Sequence, residues 1–250
     1  MIERYTRPEM GHLWSIQNEW QTILNVEIAA CEAMAELGEI PAAAVENIKK
    51  NARFDVARIN EIEKVTDHDI IAFLTNLEEN VGEDSKYIHK GLTSSDVKDT
   101  AYCIMMRDAA AIILDDLRAF RTVLRRRADE FRHTPCIGRT HGIHAEPMTF
   151  GLKMLLWSAE IERDIERLTH AQETVSVGKL SGAVGTYSNI DPRIEELTCK
   201  RLGLTPVRLA TQVIQRDRHA EFVTTLAIIA GTMEKIATEI RNLQRTDIRE

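Results

Sequence analysis

The sequence predicts an all-α protein: a bundle of long helices over residues 94–250, preceded by a smaller helical N-terminal domain over residues 1–93. Three observations carry that expectation. Apolar residues recur at intervals of three and four along most of the 250 residues, the spacing that lines one face of a helix. No period-two alternation of useful length appears, so strands are not expected. Ser95 to Arg132 holds neither proline nor glycine, and nothing there stops a helix about 55 Å long at 1.5 Å per residue.

The elements follow in order. After Met1 to Met10, which carry Arg4, Tyr5 and Arg7 before Pro8, the residues Leu13, Ile16, Trp20, Ile23, Leu24 and Ala30 set a helix from Gly11 to Leu37. Gly38 and Pro41 end it. Trp14, Trp20 and Met105 are expected in the core. Short helices are expected around Ala43–Ala52 and Val56–Lys64. Another begins near Asp67, a suitable N-cap, with Ile70, Ile71, Leu74 and Leu77 facing inward. Its first turn holds His68 and Asp69, where unpaired N–H groups attract anions. Val81 to Ser94 reads as loop. Beyond the long central helix, Pro147 to about Val177 forms a second long one. A glycine-rich segment, Gly178 to Thr186, leads to a short helix capped by Asp191-Pro192 and stopped at Gly203. Asp217 to about Arg245 is the third long helix. Small and apolar residues from Thr224 to Thr232 cover most of its sides, and one chain of this size buries three such rods poorly. They are expected to pack against copies of themselves. The helical pattern still runs at Asp247–Glu250 without a cap, which suggests truncation.

Composition narrows the function. The net charge of −7 argues against a nucleic-acid binder. Arg121, Arg125, Arg126, Arg127 and Arg132 cluster, but Asp115, Asp116, Asp129 and Glu130 interleave or flank them, as on a solvated helix face. The cysteines Cys31, Cys103, Cys136 and Cys199 show no paired spacing. No leader or membrane-spanning apolar run is evident. The expected class is reduced, soluble and cytoplasmic, with no membrane partner.

The chemistry concentrates at helix ends. Gly138-Arg139-Thr140-His141-Gly142-Ile143-His144-Ala145-Glu146-Pro147 packs imidazoles, a hydroxyl, a guanidinium and a carboxylate into a glycine-punctuated turn between long helices. Such loops commonly carry catalytic groups. Pro147 suits the first turn of the following helix. His68-Asp69 and the stretch from Lys86 to Asp96, with His89, make two further loops of this kind. Hydroxyls, imidazoles and a lysine at helix ends suit an anionic substrate, and histidine transfers protons near neutral pH. His141-x-x-His144 offers only two imidazoles, with no third ligand at a metal-site spacing. Gly178 to Gly185 follows a helix rather than a strand and lacks the dinucleotide register. No metal or cofactor is therefore expected. Taken singly, each residue has a plainer explanation: Ser94 or Ser95 suits any helix start, His89 an ordinary loop, His68 a helix N-terminus, and the His141 loop a polar connection whose histidines cap carbonyls.

Taken together and in order, Arg4-Tyr5, Thr66-Asp67-His68-Asp69, Gly91-Leu92-Thr93-Ser94-Ser95-Asp96-Val97-Lys98-Asp99-Thr100-Ala101, the Gly138–Pro147 stretch and Gln212 before Gln215-Arg216-Asp217 resemble the adenylosuccinate lyases of the fumarase/aspartase superfamily. The resemblance covers essentially the whole chain. The Thr-Ser-Ser-Asp and Arg-Thr-His-Gly elements are its specific parts, and the former favours this branch over argininosuccinate lyases and fumarases.

The resemblance implies a β-elimination: adenylosuccinate to AMP and fumarate, and SAICAR to AICAR and fumarate, in purine biosynthesis. By this analogy His141 is the general acid that protonates the departing amine, and His68 supports the substrate near that nitrogen. Thr93 and Ser94 hold a succinyl carboxylate, with His89 nearby. Arg4 and Tyr5 face the phosphate, and Gln212 faces polar groups of the succinyl-purine nucleotide. Asp67, Asp69 and Thr140 complete the binding set. Negative charge developing beside a carboxylate is stabilised by donors already in place. The resemblance also implies a homotetramer with active sites shared between subunits.

One departure accompanies these matches. The family's base is a serine in a Ser-Ser-x-Met-Pro-x-Lys-x-Asn-Pro loop, and these 250 residues hold no such stretch. The expectation is a lyase parent whose base-bearing loop and C-terminal part are missing here, and a 250-residue chain without turnover. Two alternatives stand beside it: a helical oligomeric scaffold that binds metabolites without turnover, or another lyase of the same superfamily.

Overall fold

The structure, a computed structural model, describes residues 2–250. It is mainly helical, and the described residues form two compact units. The first joins the chain up to Ala109 with Val175–Arg216; the second joins Ala110–Thr174 with Asp217–Glu250.

The first unit opens with a 3-10 turn at Glu3–Tyr5, followed by α1 (Pro8–Leu13), α2 (Ile16–Glu36), α3 (Ala42–Asn51), α4 (Val56–Thr66) and α5 (Asp69–Val81). The continuous helix expected from Gly11 is broken at Trp14-Ser15. Ser15 Oγ accepts the Asn18 N–H at 3.2 Å and so restarts the helix as an N-cap. Trp14, at the break, is 37% exposed rather than part of the core. Trp20 and Met105 are buried as expected, and Trp20 stacks on Phe73 with ring centroids 4.9 Å apart. α2 packs on α8 (Pro192–Leu202), and α4 packs on α5. α8 starts and stops where its sequence signals stand: Asp191 caps it, Pro192 is its first residue, and Gly203 closes it at φ +67°.

The start of α5 differs from expectation by one residue. Asp67 is the left-handed residue that ends α4, at φ +50°, a conformation aspartate tolerates better than most. His68 takes the N-cap position instead. Part of the expected loop after Val81 winds into a 3-10 helix, Gly82–Tyr87. α6 (Ser94–Glu130) runs 37 residues, contributing residues to Ala109 to the first unit and the remainder to the second.

The main correction concerns the stretch after α6. The expected helix-to-helix turn is a β-hairpin: β1 (Pro135–Thr140) pairs antiparallel with β2 (Ile143–Thr149). His141 and Gly142, both at positive φ, form the two-residue turn that matches strand twist. Pro147 therefore stands opposite Ile137 in a strand and not in a helical turn; a two-stranded ribbon has only edge strands, where a missing N–H is tolerated. Helix α7 (Phe150–Val175) begins only at the hairpin's base. There Gly151 donates to Phe131 O at 2.9 Å, and a Cβ on it would lie 2.4 Å from Ala128 O.

α9 (Asp217–Leu243) runs antiparallel to α7. Arg218 donates to Thr174 O at 2.8 Å, His170 lies 3.4 Å from Glu221, and the ion pairs Lys235–Glu160 and Lys153–Glu239 continue the ladder. α9 stops at Leu243 rather than running on, and Glu250 pairs with Arg139 through two contacts of 2.8 and 2.9 Å. In the first unit, β3 (Val177–Gly178) and β4 (Thr205–Pro206) make a second, minimal pair. Among the described residues, no helix is long and apolar enough to cross a membrane.

Candidate active site

Four of the first unit's site residues, His68, Asp69, Thr93 and Ser94, gather where α5 and α6 begin. His68 caps α5 through Nδ1, which accepts the Ile71 N–H at 3.4 Å. Its Nε2 lies 3.5 Å from Ser94 Oγ, in the first turn of α6. The fold thus joins two loops 26 residues apart, both exposed enough to meet a ligand. Asp69 Oδ1 accepts the Ile70 N–H at 2.7 Å, and Oδ2 bonds the Lys98 ammonium. Burial raises the Asp69 carboxyl, but Lys98 and the Ile70 N–H outweigh it and hold the group below the ordinary carboxylate range. Asp67 stands beside this cluster in sequence, as the joint between α4 and α5.

Thr93 is held by its own helix. Its N–H donates to Asp96 Oδ2 at 2.8 Å, the reciprocal bond of a capping box. Asp96 is fully buried and also accepts from Ser181 N at 3.2 Å, Gly182 N at 3.1 Å and Lys179 Nζ at 2.5 Å. Lys179 is equally buried and donates further to Gly182 O at 3.0 Å. The glycine-rich segment thus holds the start of α6, with the Thr93 and Ser94 hydroxyls carried on that turn.

His89, at φ +63°, donates its N–H to Glu27 Oε2 at 3.0 Å, and Nδ1 lies 2.6 Å from Glu27 Oε1. Burial lowers this imidazole, but the Glu27 carboxylate offsets that and leaves it raised. Arg4 and Tyr5 bond one another, guanidinium to phenol at 2.6 Å, and the arginine lies over the ring. Gln212 is exposed in the bend before Ile214. Asp99 anchors that bend, accepting the Ile214 N–H at 2.8 Å and both terminal nitrogens of Arg216 at 2.9 and 3.0 Å.

The second unit carries the remaining two residues of the expected set. Thr140 closes the hairpin opposite Ile143, and His141 occupies its tip, exposed to solvent. His144 stands opposite Arg139 in the ladder. Below, an open cleft of about 1100 Å³ is lined by Ile137, Arg139, Met148, Lys153, Glu239 and Asn242, among others.

Three supporting residues were not singled out from sequence: Glu27, Lys98 and Lys179. Each had a weak signal. Glu27 is a lone charge on a face otherwise made of Ile23, Leu24, Ala30 and Cys31. Lys98 follows Ser94 by one helical turn, and Lys179 is the one charge within a glycine-rich run.

The site is thus a long-helix scaffold that presents hydroxyls and imidazoles at helix starts, where small anions are favoured. The chain matches the family model described as "Lyase" over residues 3–250, and it belongs to that family. Within it, the whole chain is 54% identical to the adenylosuccinate lyase of Synechocystis sp. and 51% identical to those of Bacillus subtilis and Staphylococcus saprophyticus. It spans 58% of the length of each of these curated relatives. Solved structures agree on the fold. A fumarate lyase from Mesorhizobium sp. superposes with a TM-score of 0.91 at 30% identity, over 96% of this chain and 58% of that one. A 3-carboxy-cis,cis-muconate lactonizing enzyme from Pseudomonas putida gives 0.92 at 28% identity, over 98% and 58%.

Proposed function

We propose that the protein bearing this chain is a carbon–nitrogen lyase that cleaves adenylosuccinate to AMP and fumarate, and SAICAR to AICAR and fumarate. The observation that carries the reading is the Thr93-Ser94 start of a 37-residue helix, with His68 Nε2 3.5 Å from Ser94 Oγ. Two hydroxyls, an imidazole and the positive end of a helix make a receptor for a carboxylate. The identity to curated adenylosuccinate lyases supports the same substrate. Fold alone does not choose it, since structural neighbours bear other names.

In this reading Thr93 and Ser94 bind a succinyl carboxylate, with His89 held nearby by Glu27. His68 donates to the substrate near the scissile nitrogen, and Asp67 and Asp69 shape that end of the site. Arg4 and Tyr5 take the phosphate; Thr140 and Gln212 bind polar groups. The C–N bond breaks as the neighbouring carbon loses a proton and the C=C bond of fumarate forms. His141 returns a proton to the departing amine. The residues assigned here do not include the base that accepts the carbon's proton. No cofactor takes part.

The reading extends to assembly and location: a cytoplasmic homotetramer whose sites draw His68 and His141 from different subunits, with residues 1–93 and 94–250 as its domains within the longer protein. Support comes from large apolar side chains left exposed on α7 and α9, namely Leu152, Leu155 and Leu156, and Val223, Ile228 and Ile240.

The test is turnover by a full-length protein carrying this sequence, followed by loss of the succinyl-purine absorbance, with argininosuccinate and fumarate as competing substrates. Cleavage of adenylosuccinate is expected. Activity confined to another substrate, or none, would refute the reading.

A further inference from the structure

Lys98 lies in the Gly91–Ala101 stretch but has been given no role there; it stands four residues after Ser94 on α6 and therefore on the same helix face. Its ammonium bonds Asp69 Oδ2, while Asp69 Oδ1 accepts the Ile70 N–H at 2.7 Å. Both carboxylate oxygens are committed. The neighbouring His68 ring has two ways to be neutral. In one, Nδ1 accepts the Ile71 N–H, 3.4 Å away, and the proton sits on Nε2, facing Ser94 Oγ at 3.5 Å. In the other, Nδ1 carries the proton and gives it to Asp69 Oδ1, 3.5 Å away, leaving Nε2 a bare acceptor. These arrangements present opposite hydrogen-bonding sense at the open side of the ring. The balance between them depends on how strongly Asp69 draws a proton at Nδ1.

We propose that Lys98 is a positioning residue: by holding Asp69 it keeps His68 in the tautomer with its proton on Nε2, the nitrogen that faces Ser94. The cation neutralises the carboxylate that would otherwise claim Nδ1, so the Ile71 N–H keeps its acceptor. The other charged and titratable groups around Asp69 do not replace Lys98. Tyr102, one turn further along α6, donates to Glu19 of α2 at 2.8 Å; its phenol is pushed up to about 12, by burial first and by Glu19 next, and stays uncharged. For turnover, the inference rests on the lyase reading, in which Nε2–H is the donor offered to the substrate.

The primary test does not need turnover. Long-range proton–nitrogen correlation on the chain with 15N-labelled histidine, at about pH 8.5, well above the ordinary imidazole range, reports which ring nitrogen carries the proton. His68 is assigned by the signal lost in His68→Gln. The expected result is Nε2–H in the native chain and in Lys98→Arg, and a shift of population to Nδ1–H in Lys98→Met. Lys98→Gln, also uncharged, repeats the test should Lys98→Met fail to fold. In an Asp69→Asn background, removing Lys98 is expected to change nothing, because the negative charge that draws the proton to Nδ1 is gone. Persistence of Nε2–H in the uncharged variants would overturn the proposal. So would an equal shift in Lys98→Arg, or a shift that survives Asp69→Asn. In the full-length protein, Lys98→Met is expected to lower kcat/KM for adenylosuccinate about three- to tenfold, the worth of one neutral hydrogen bond, with Lys98→Arg restoring most of it. A shifted tautomer with native kcat/KM would refute the positioning role. A native protein without turnover would instead sink the lyase reading and leave the tautomer result standing.

Discussion

Replacing Asp96 with asparagine tests how the start of α6 is held. The carboxylate collects four donors: Thr93 N at 2.8 Å and Gly182 N at 3.1 Å on one oxygen, Ser181 N at 3.2 Å and Lys179 Nζ at 2.5 Å on the other. Neither Asp96 nor Lys179 has any exposed side-chain surface. The substituted amide would offer one oxygen and turn an NH2 group toward two of these donors. Lys179 would be left with the Gly182 carbonyl, 3.0 Å away, to face a buried cation. Removing one member of a buried ion pair costs about 3–5 kcal/mol, because the remaining charge stays desolvated. With a urea slope of about 2–3 kcal/mol per molar, the unfolding midpoint is expected to fall by about 1–2.5 M. The assay is urea unfolding followed by Trp20, buried in the same unit, in a Trp14→Phe, Trp157→Phe background. Lys179→Met should cost less, since Asp96 keeps three backbone N–H donors, and the double variant should cost less than the two singles added. A loss below about 1 kcal/mol for Asp96→Asn, a surface-pair value, or strictly additive singles, would refute the buried-pair account.

Three further outcomes follow from the geometry. His89 is raised above its ordinary value in the folded state, through the Glu27 carboxylate acting against burial; its pairing therefore stabilises the fold fully below the unfolded imidazole value, and that contribution is lost as pH rises through the folded value. Glu27→Gln should thus lower the urea midpoint most near pH 5.5–6, about where free histidine is protonated, and least toward pH 8.5 or so; a pH-independent deficit would contradict this. In the full-length protein, His141→Gln should lower kcat by about 10² to 10⁴ with a smaller change in KM, and retention of more than about a tenth of kcat would deny it the acid's role. Finally, inactive full-length His68→Ala and His141→Ala proteins, mixed and allowed to exchange subunits, should recover roughly a quarter of native activity if each site draws one histidine from each of two chains; a dead mixture with hybrid tetramers confirmed by native mass spectrometry would refute shared sites.

The helices were legible because their signals are local. The apolar spacing of α2, the absence of breakers in α6, and Asp191-Pro192 with Gly203 around α8 all act within a few residues of the structure they set. The hairpin was not. From His141 to Pro147 its second strand is exposed throughout, so no buried face imposes alternation. An irregularity between Ile137 and Arg139 shifts the register, and His-Gly replaces the usual Asn-Gly turn. A polar ribbon of this kind presents only the residues expected of a loop. The one-residue error at Asp67 has a similar origin. Aspartate suits both an N-cap and a left-handed helix end, and His68, a weaker capping type, takes the first role.

The candidate site divides along the same line. His68, Thr93 and Ser94 stood out because helix-end hydroxyls and imidazoles form short local patterns. The groups that hold them come from elsewhere in the chain: Glu27 is 62 residues from His89, Lys179 is 83 from Asp96, and Lys98 is 29 from Asp69. Each sits in a setting that sequence rules assign to other duties, a core helix face, a glycine-rich connection and a half-buried turn of helix. This separation has a physical reason. A group that meets substrate must lie at an open helix end, whereas a group that fixes its orientation does so by bonding from a neighbouring element. The α6 start shows both sides at once: Ser94 faces His68, Asp96 two residues on turns inward to Lys179, and Lys98 four residues on returns to the His68 side through Asp69. The 3.6-residue turn of one helix therefore alternates binding and support, and substitutions at the supporting positions should register first in orientation and stability rather than in contact with substrate.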